Sequence, residues 1–153
     1  MTGQHVGIVG IGYAGLPLAV ELARAGSRVT GFDTSAGRVA AVNSHHSPVD
    51  TATDEQIRSL ADKLEASTDP AVLSTCSVIV VCVPTPVEGD KPDVRPLLGA
   101  TQTVRDHLRP GQLVSIGSTT HPGTTDGLLL PILQETGLRV GEDFNLAYSP
   151  PNA

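Results

Sequence analysis

A glycine-rich turn near the amino terminus contains the residues best suited to bind a ligand. Gly10, Gly12 and Gly15 follow an apolar run over residues 5–10, and a helical pattern begins at about Tyr13. Glycine at these positions lets the backbone approach a pyrophosphate, and the first turn of a helix offers free N–H groups at the positive end of its dipole. This order of strand, glycine turn and helix is typical of a dinucleotide-binding unit.

An acidic residue follows at the position where such a unit binds ribose. Asp33 ends the second apolar run, residues 28–33, and follows Gly10 by 23 residues. A carboxylate there accepts hydrogen bonds from ribose hydroxyls and repels a 2′-phosphate, which favours NAD over NADP. The alternative is that Asp33 caps the next helix. Arg38 also has two interpretations, since it either accommodates a 2′-phosphate or is a solvated helix charge partly paired with Asp33.

Two further groups of residues follow predicted strands. Residues 84–86, Pro-Thr-Pro, end the run 78–83 and form either a rigid exit from the strand or, through Thr85, a contact with ribose or nicotinamide. Residues 118–120, Ser-Thr-Thr, follow the run 113–117 and either cap a helix or contact a ligand. The carboxyl ends of parallel strands meet at one edge of a sheet, so these groups are predicted to share a crevice with the glycine turn.

Short apolar runs alternate with helical patterns along the chain, which is typical of βαβ units. The predicted strands are residues 5–10, 28–33, 78–83, 113–117 and 145–148. The predicted helices span approximately residues 13–26, 35–43, 53–64, 94–108 and 124–136. The sequence therefore predicts a single α/β domain of the Rossmann type. Its doubly wound, mostly parallel sheet has five or six strands, with helices on both faces.

Three local features refine this prediction. Thr53 begins a capping-box pattern, and Ile57 and Leu64 fall on one face of the helix behind it. Residues 88–92 are a turn-rich loop, and Pro131 is predicted to kink the last helix.

Composition and charge narrow the class of ligand. The 153 residues are 39% hydrophobic and 17% charged, which fits a packed globular domain. The net charge of −6 argues against nucleic acid or an anionic membrane as a main partner. The sequence shows no signal-peptide pattern and no apolar run long enough to span a membrane, so a cytoplasmic location is predicted.

The cysteines and histidines predict no further chemistry. Cys76 and Cys82 are separated by five residues, which suits neither a metal knuckle nor a redox pair, and they are predicted to be small buried hydrophobes. No metal site is predicted. His121 lies beside the predicted crevice, but no carboxylate is spaced to orient it as a base, and the five histidines are predicted to be structural or solvated.

Six motifs occur in the order found in one enzyme family. They are residues 10–19 (GIGYAGLPLA), 31–33 (GFD), 83–86 (VPTP), 92–93 (PD), 118–125 (STTHPGTT) and 147–150 (AYSP). On these motifs the sequence resembles the UDP-glucose/GDP-mannose 6-dehydrogenase family, the NAD-dependent nucleotide-sugar dehydrogenases. This family oxidises the C6 hydroxyl of a nucleotide-linked sugar to a carboxylate with two NAD⁺, as in the conversion of UDP-glucose to UDP-glucuronate.

The resemblance implies a set of cofactor contacts in this chain. They are Gly10, Gly12, Tyr13, Ala14, Gly15, Asp33, Arg38, Val83, Pro84, Thr85, Pro86, Ser118, Thr119 and Thr120. Thr119 is also implied in catalysis, because it matches the threonine that helps to position the catalytic water.

The sequence departs from the family pattern in three ways, which limit the resemblance to the cofactor-binding part of the family. Pro151 stands where the family usually has a glutamate, Asn152 where arginine is common, and Gly117 where many members have a glutamate. The family also continues into a central helix and a substrate-binding domain that carry its nucleophilic cysteine, lysine and aspartate. Residues 1–153 are therefore identified as the NAD-binding domain, expected to bind cofactor without turnover. The intact enzyme is expected to be a homo-oligomer acting on a UDP- or GDP-linked sugar.

Two other functions remain open at this point. One is a non-catalytic module that binds NAD(H) or docks on a partner, which Pro151 favours slightly. The other is a β-hydroxyacid-type dehydrogenase that shares the nucleotide-binding half. The motifs at residues 84–86 and 118–125 count against the second.

Overall fold

The computed structural model describes residues 4–118 and 125–148. Its strands are β1 His5–Val9, β2 Arg28–Phe32, β3 Leu64–Ser67, β4 Val78–Val81, β5 Val87–Glu88, β6 Lys91–Pro92, β7 Leu113–Ile116 and β8 Asn145–Tyr148. Its α-helices are α1 Gly15–Arg24, α2 Ala36–Asn43, α3 Asp54–Ser59, α4 Arg95–His107 and α5 Leu130–Gln134. A 3₁₀ helix, Pro70–Thr75, precedes β4, and a π-helical turn, Thr125–Leu129, precedes α5.

Six strands form one parallel sheet in the order β3-β2-β1-β4-β7-β8. The chain moves outward from β1 to β3 and then returns to place β4 on the other side of β1. This reversal makes the carboxyl ends of β1 and β4 the switch point, where ligands of doubly wound sheets bind. The predicted fold class is confirmed.

Helices cover both faces of the sheet and bury two apolar clusters. Alternate residues of β4 divide between them: Val78 and Val80 pack against the cluster under α1, α2 and α3, whereas Ile79 and Val81 belong to the cluster under α4 and α5. Strands covered on both faces are apolar at most positions, which is why the sequence shows nearly continuous apolar runs.

The helix predicted over residues 53–64 is too long. The capping box is present, because the N–H of Gln56 donates to Thr53 Oγ1 at 3.1 Å and the N–H of Thr53 donates to Gln56 Oε1 at 2.9 Å. However, α3 ends at Ser59, and Leu64 begins strand β3, which pairs with β2. A leucine at this position would be expected to be buried in a helix as well as in a strand, so its apolar character could not distinguish the two.

Two other predicted features have different local structures. The turn-rich loop at residues 88–92 lies within a hairpin of β5 and β6, closed by a hydrogen bond from the N–H of Asp93 to the carbonyl of Pro86 at 2.6 Å. The irregularity predicted at Pro131 takes the form of the π-helical turn immediately before α5. A proline has no N–H and its ring crowds the carbonyl four residues earlier, which favours such a widened turn upstream.

Candidate cofactor site

An open cavity of about 660 Å³ lies at the carboxyl edge of the sheet, beside the switch point. The glycine loop between β1 and α1 forms one side, the end of β2 and the start of α2 form the second, and α4 forms the third. The lining residues are Val9, Gly10, Gly12, Tyr13, Ala14, Phe32, Asp33, Thr34, Arg38, Cys82, Val83, Pro84, Pro96, Gly99, Ala100 and Thr103.

The three glycines of the loop are required for different reasons. Gly10 has φ +96°, and a Cβ there would lie 2.8 Å from the carbonyl oxygen of Cys82. A Cβ on Gly15 would lie 1.7 Å from the carbonyl oxygen of Gly10. Gly12 is different, because a Cβ there would meet only the Arg38 side chain, at 3.7 Å. Gly10 and Gly15 therefore permit the fold of the loop, whereas Gly12 leaves space in the cavity.

The loop presents main-chain donors to the cavity. In residues 4–118 and 125–148, the N–H groups of Gly12, Tyr13 and Ala14 have no hydrogen-bond acceptor, and α1 has no side-chain N-cap. Free N–H groups at the start of a helix form a site suited to an anion such as a pyrophosphate. The residues present therefore fit the phosphate portion of a dinucleotide.

Asp33 lies at the end of β2 and is 8% exposed. Its Oδ2 accepts the N–H of Ile11 at 3.0 Å, and its Oδ1 accepts the N–H of Ser35 at 2.8 Å. The N-cap of α2 is Ser35 rather than Asp33, since Ser35 Oγ accepts the N–H of Arg38 at 3.2 Å. The carboxylate thus ties the glycine loop to the turn after β2 and still lines the cavity.

Arg38 supplies a positive charge beside this carboxylate. Its Nη1 lies 3.6 Å from Asp33 Oδ2, and its side chain is 45% exposed. The structure therefore pairs Arg38 with Asp33 in the cavity wall.

The remaining predicted contacts divide into three groups. Val83 and Pro84 line the cavity, whereas Gly15, Thr85, Pro86 and Ser118 are not among its lining residues. The Ser118 hydroxyl is buried and donates to the carbonyl of Val83 at 2.8 Å, joining the ends of β7 and β4. Thr119 and Thr120 lie outside the described residues, and the role of Thr119 in catalysis stays a prediction.

One wall of the cavity was not predicted from the sequence. Pro96, Gly99, Ala100 and Thr103 of α4 line it, and their spacing of i, i+3, i+4 and i+7 places them on one face of the helix. They are small or only weakly polar, so they leave room for a flat apolar ring. This spacing could have predicted the wall, but it lies beside a second apolar face of α4 that includes the buried Leu97 and Val104.

Burial disfavours the thiolate form of both cysteines. Burial raises the pKa of both the Cys76 and the Cys82 thiol to about 11, so both are protonated at neutral pH. Among the residues that the structure describes, no three His, Cys, Asp or Glu side chains form a group that could hold a metal ion. No helix in the same ranges has the length and apolar character needed to cross a membrane.

Comparison with known proteins identifies the family. Residues 4–152 match the model of the UDP-glucose/GDP-mannose dehydrogenase family, NAD binding domain. The chain belongs to this family. The cofactor of the domain is NAD, in agreement with the prediction from Gly10, Gly12, Gly15 and Asp33.

Individual relatives agree with this assignment. The UDP-N-acetyl-D-glucosamine 6-dehydrogenase of Pseudomonas aeruginosa is 38% identical over 98% of this chain and 36% of its own length. The UDP-N-acetyl-D-mannosamine dehydrogenase of Pyrococcus horikoshii is 34% identical over 96% of this chain and 36% of its own length. The solved structure of the UDP-D-ManNAc dehydrogenase from Pyrococcus horikoshii superposes with a TM-score of 0.91 at 33% identity, covering 98% of this chain and 37% of that chain. The chain thus spans little more than a third of each relative.

Proposed function

We propose that these 153 residues are the cofactor-binding part of a nucleotide-sugar 6-dehydrogenase, and that by themselves they bind NAD without oxidising a sugar. The observation that carries the proposal is the combination, in one cavity, of a loop with free N–H groups at Gly12, Tyr13 and Ala14 and the carboxylate of Asp33. The proposed reaction of the whole enzyme is oxidation of the C6 hydroxyl of a UDP- or GDP-linked sugar to a carboxylate.

The lining residues divide the cavity by chemistry. The N–H groups of residues 12–14 suit the pyrophosphate, and Asp33 with Arg38 suits the adenosine ribose. The small face of α4 at Gly99 and Ala100 suits the flat adenine ring. When bound, NAD would supply the hydride acceptor, its nicotinamide ring. The residues of this chain bind the cofactor, orient it along the sheet edge and stabilise the negative charge of its pyrophosphate.

The absence of turnover follows from the chemistry of the side chains. In the family, oxidation to the carboxylate proceeds through a cysteine nucleophile, and the cysteines of this chain are Cys76 and Cys82. Cys76 lies in the apolar core, and Cys82 lines the cavity, where burial raises the pKa of its thiol to about 11. Neither thiol supplies the thiolate that a covalent intermediate needs.

A fluorescence titration tests the cofactor half of the proposal. The chain is titrated with NADH, and with NADPH in parallel, while nicotinamide emission is followed. The chain has no tryptophan, so indole emission does not overlap with the signal. We expect saturable NADH binding and weaker NADPH binding, because the Asp33 carboxylate repels a 2′-phosphate. Failure of both nucleotides to bind would contradict the proposal.

A turnover assay tests the other half. The chain is incubated with NAD⁺ and with UDP-glucose, UDP-N-acetylglucosamine or GDP-mannose, and the absorbance of NADH is followed. No NADH is expected from any of the three sugars. NADH production by the 153 residues would contradict the proposed absence of turnover while leaving cofactor binding intact.

A further inference from the structure

A hydrogen bond from outside the glycine loop fixes the peptide group between Tyr13 and Ala14. The hydroxyl of Thr51 donates to the carbonyl oxygen of Tyr13 at 2.8 Å, although the two residues are 38 positions apart in the sequence. Thr51 lies in the segment between α2 and α3. It does not line the cavity.

The surrounding segment holds Thr51 in place. Val49 packs against the apolar cluster under α1, and Ala52 is buried in the same cluster at 5% exposure. Thr53, the next residue, is the N-cap of α3 and forms both bonds of the capping box. Residues on both sides of Thr51 are therefore fixed by packing or capping, and its hydroxyl reaches Tyr13 from a defined position.

Contacts of Asp54 with Ser47 and His46 hold the same segment at its start. Asp54 Oδ1 accepts the N–H of Ser47 at 2.7 Å, and Asp54 Oδ2 lies 3.3 Å from His46 Nδ1. These bonds lower the pKa of the Asp54 carboxyl, the main-chain bond from Ser47 contributing most. The segment is thus held at its start as well as at its end.

The orientation of a trans peptide links the carbonyl of Tyr13 to the N–H of Ala14. No peptide bond of the described chain is cis, so this C=O and N–H point in opposite directions. Holding the carbonyl toward Thr51 therefore directs the Ala14 N–H away from Thr51. That N–H has no acceptor among the described residues, and Ala14 lines the cavity. A flipped peptide would turn a carbonyl oxygen toward the anion instead of a donor.

We infer that Thr51 is a positioning residue for the phosphate-binding loop, acting through the Tyr13–Ala14 peptide. The inference rests on the proposed NAD binding and adds a residue that does not touch the cavity. Loss of the hydroxyl leaves the loop glycines and Asp33 unchanged but frees the peptide to rotate. The expected result is weaker binding of ligands that carry a pyrophosphate, by about three- to tenfold, the range for one ordinary hydrogen bond.

The test compares four forms of the full chain by NADH titration: wild type, Thr51→Val, Thr51→Ser and Thr75→Val. Thr51→Val removes the hydroxyl with little change in shape, and Thr51→Ser keeps it. Thr75→Val is the matched control, since the exposed Thr75 hydroxyl also donates to a main-chain carbonyl, that of Val72, at 2.8 Å. Thermal unfolding without ligand is measured for each form, and Thr51→Ala is used if Thr51→Val does not fold.

A second ligand separates positioning from general damage. Adenosine, which lacks the pyrophosphate, is measured by competition with NADH. We expect Thr51→Val to weaken NADH binding three- to tenfold with adenosine binding unchanged, and Thr51→Ser and Thr75→Val to bind NADH like wild type. Unchanged NADH binding by Thr51→Val, or an equal loss for NADH and adenosine, would overturn the inference alone. Failure of the wild type to bind NADH would overturn the proposed function and the inference with it.

Discussion

Asp33 shows how one side chain serves both the fold and the site. Each of its carboxylate oxygens accepts a main-chain N–H, one from Ile11 in the glycine loop and one from Ser35 before α2. The same carboxylate is paired with Arg38 and lines the cavity. The group expected to bind ribose therefore also sets the distance between the loop that binds phosphate and the end of β2.

The glycines permit a test that separates folding from binding. We expect Gly12→Ala to change the free energy of unfolding by less than about 0.5 kcal/mol, because its methyl group makes only ordinary contact with Arg38. It should lower NADH affinity about tenfold or more, because the methyl group lies where the backbone must approach the pyrophosphate. Urea unfolding and NADH titration measure the two effects.

Gly15→Ala is the contrasting variant. Its Cβ would overlap the carbonyl oxygen of Gly10, so the loop must move, and we expect a loss of more than about 3 kcal/mol of stability. A Gly12→Ala protein as unstable as Gly15→Ala would show that Gly12 also serves the fold. NADH affinity unchanged in Gly12→Ala would show that the pyrophosphate does not pass over this residue.

At the residue scale, the sequence predicts the place of a site residue better than the direction of its side chain. Gly10, Gly12 and Asp33 follow strand ends, so their places in the fold follow from strand prediction alone. Ser118 also follows a strand, but its hydroxyl turns to the carbonyl of Val83. The direction of a short polar side chain depends on which acceptors neighbouring strands present, and a single sequence contains no information on those neighbours.

At the scale of elements, the end of α2 contains a residue with an unfavourable backbone conformation. After the C-cap Ser44, His45 has φ +64°, and the N–H of His46 donates to the carbonyl of Ala41 at 2.8 Å. This is the Schellman arrangement, whose left-handed position favours glycine. The Nδ1 of His45 is also buried, without a partner among the described residues. A non-glycine residue there lowers the stability of the helix end.

Replacing His45 with glycine should therefore stabilise the domain. We expect His45→Gly to raise the free energy of unfolding by about 0.5–1 kcal/mol, as measured by urea unfolding. Ser44→Gly is the neighbouring control. Because Ser44 has φ −95°, glycine gives no conformational benefit there and should lower stability. Equal effects of the two substitutions would show that the left-handed backbone is not the cause.

Element boundaries were predicted well wherever a capping or left-handed residue marks them, and less well elsewhere. Gly26, at φ +105°, ends the first helical segment as predicted, and Thr53 begins α3. The end of α3 and the start of β3 carry no such residue. Leu64 lies seven residues after Ile57 and is also buried, so it matches helical spacing although it belongs to a strand. Edge strand β3 was therefore missed, although it completes the sheet beside β2.

At the amino edge of the sheet, opposite the site, His5 contacts both β2 and the 3₁₀ helix. His5 Nε2 on β1 lies 2.8 Å from Thr30 Oγ1 on β2, and His5 Nδ1 lies 3.2 Å from the carbonyl oxygen of Thr75, the last residue of the 3₁₀ helix. Burial lowers the pKa of His5, and the charge of Arg28 lowers it further, against smaller opposing effects of the Thr75 carbonyl and Glu65. The folded protein therefore holds this imidazole in its neutral form more strongly than the unfolded chain does.

A lowered histidine pKa makes the stability of the sheet depend on pH. The unfolded chain binds a proton at His5 near its ordinary pKa of 6.5, whereas the folded protein binds it only at lower pH. The stability contributed by neutral His5 is thus present above pH 6.5 and is lost as the pH falls below that value toward the folded pKa. We therefore expect the urea concentration at the unfolding midpoint of the wild type to decrease when the pH is lowered from about 7.5 to about 5.5.

His5→Gln isolates this effect, because glutamine retains hydrogen-bonding groups but does not titrate in this range. The other four histidines and the His46–Asp54 pair are unchanged in the variant, and distant sites contribute additively. The difference in unfolding free energy between wild type and His5→Gln should therefore shift in favour of His5→Gln as the pH is lowered. A difference that stays constant with pH would mean that His5 has the same proton affinity in the folded and unfolded states. A shift toward the wild type would mean that Glu65 and the Thr75 carbonyl outweigh burial, and that the amino edge of the sheet is stabilised by a protonated imidazole.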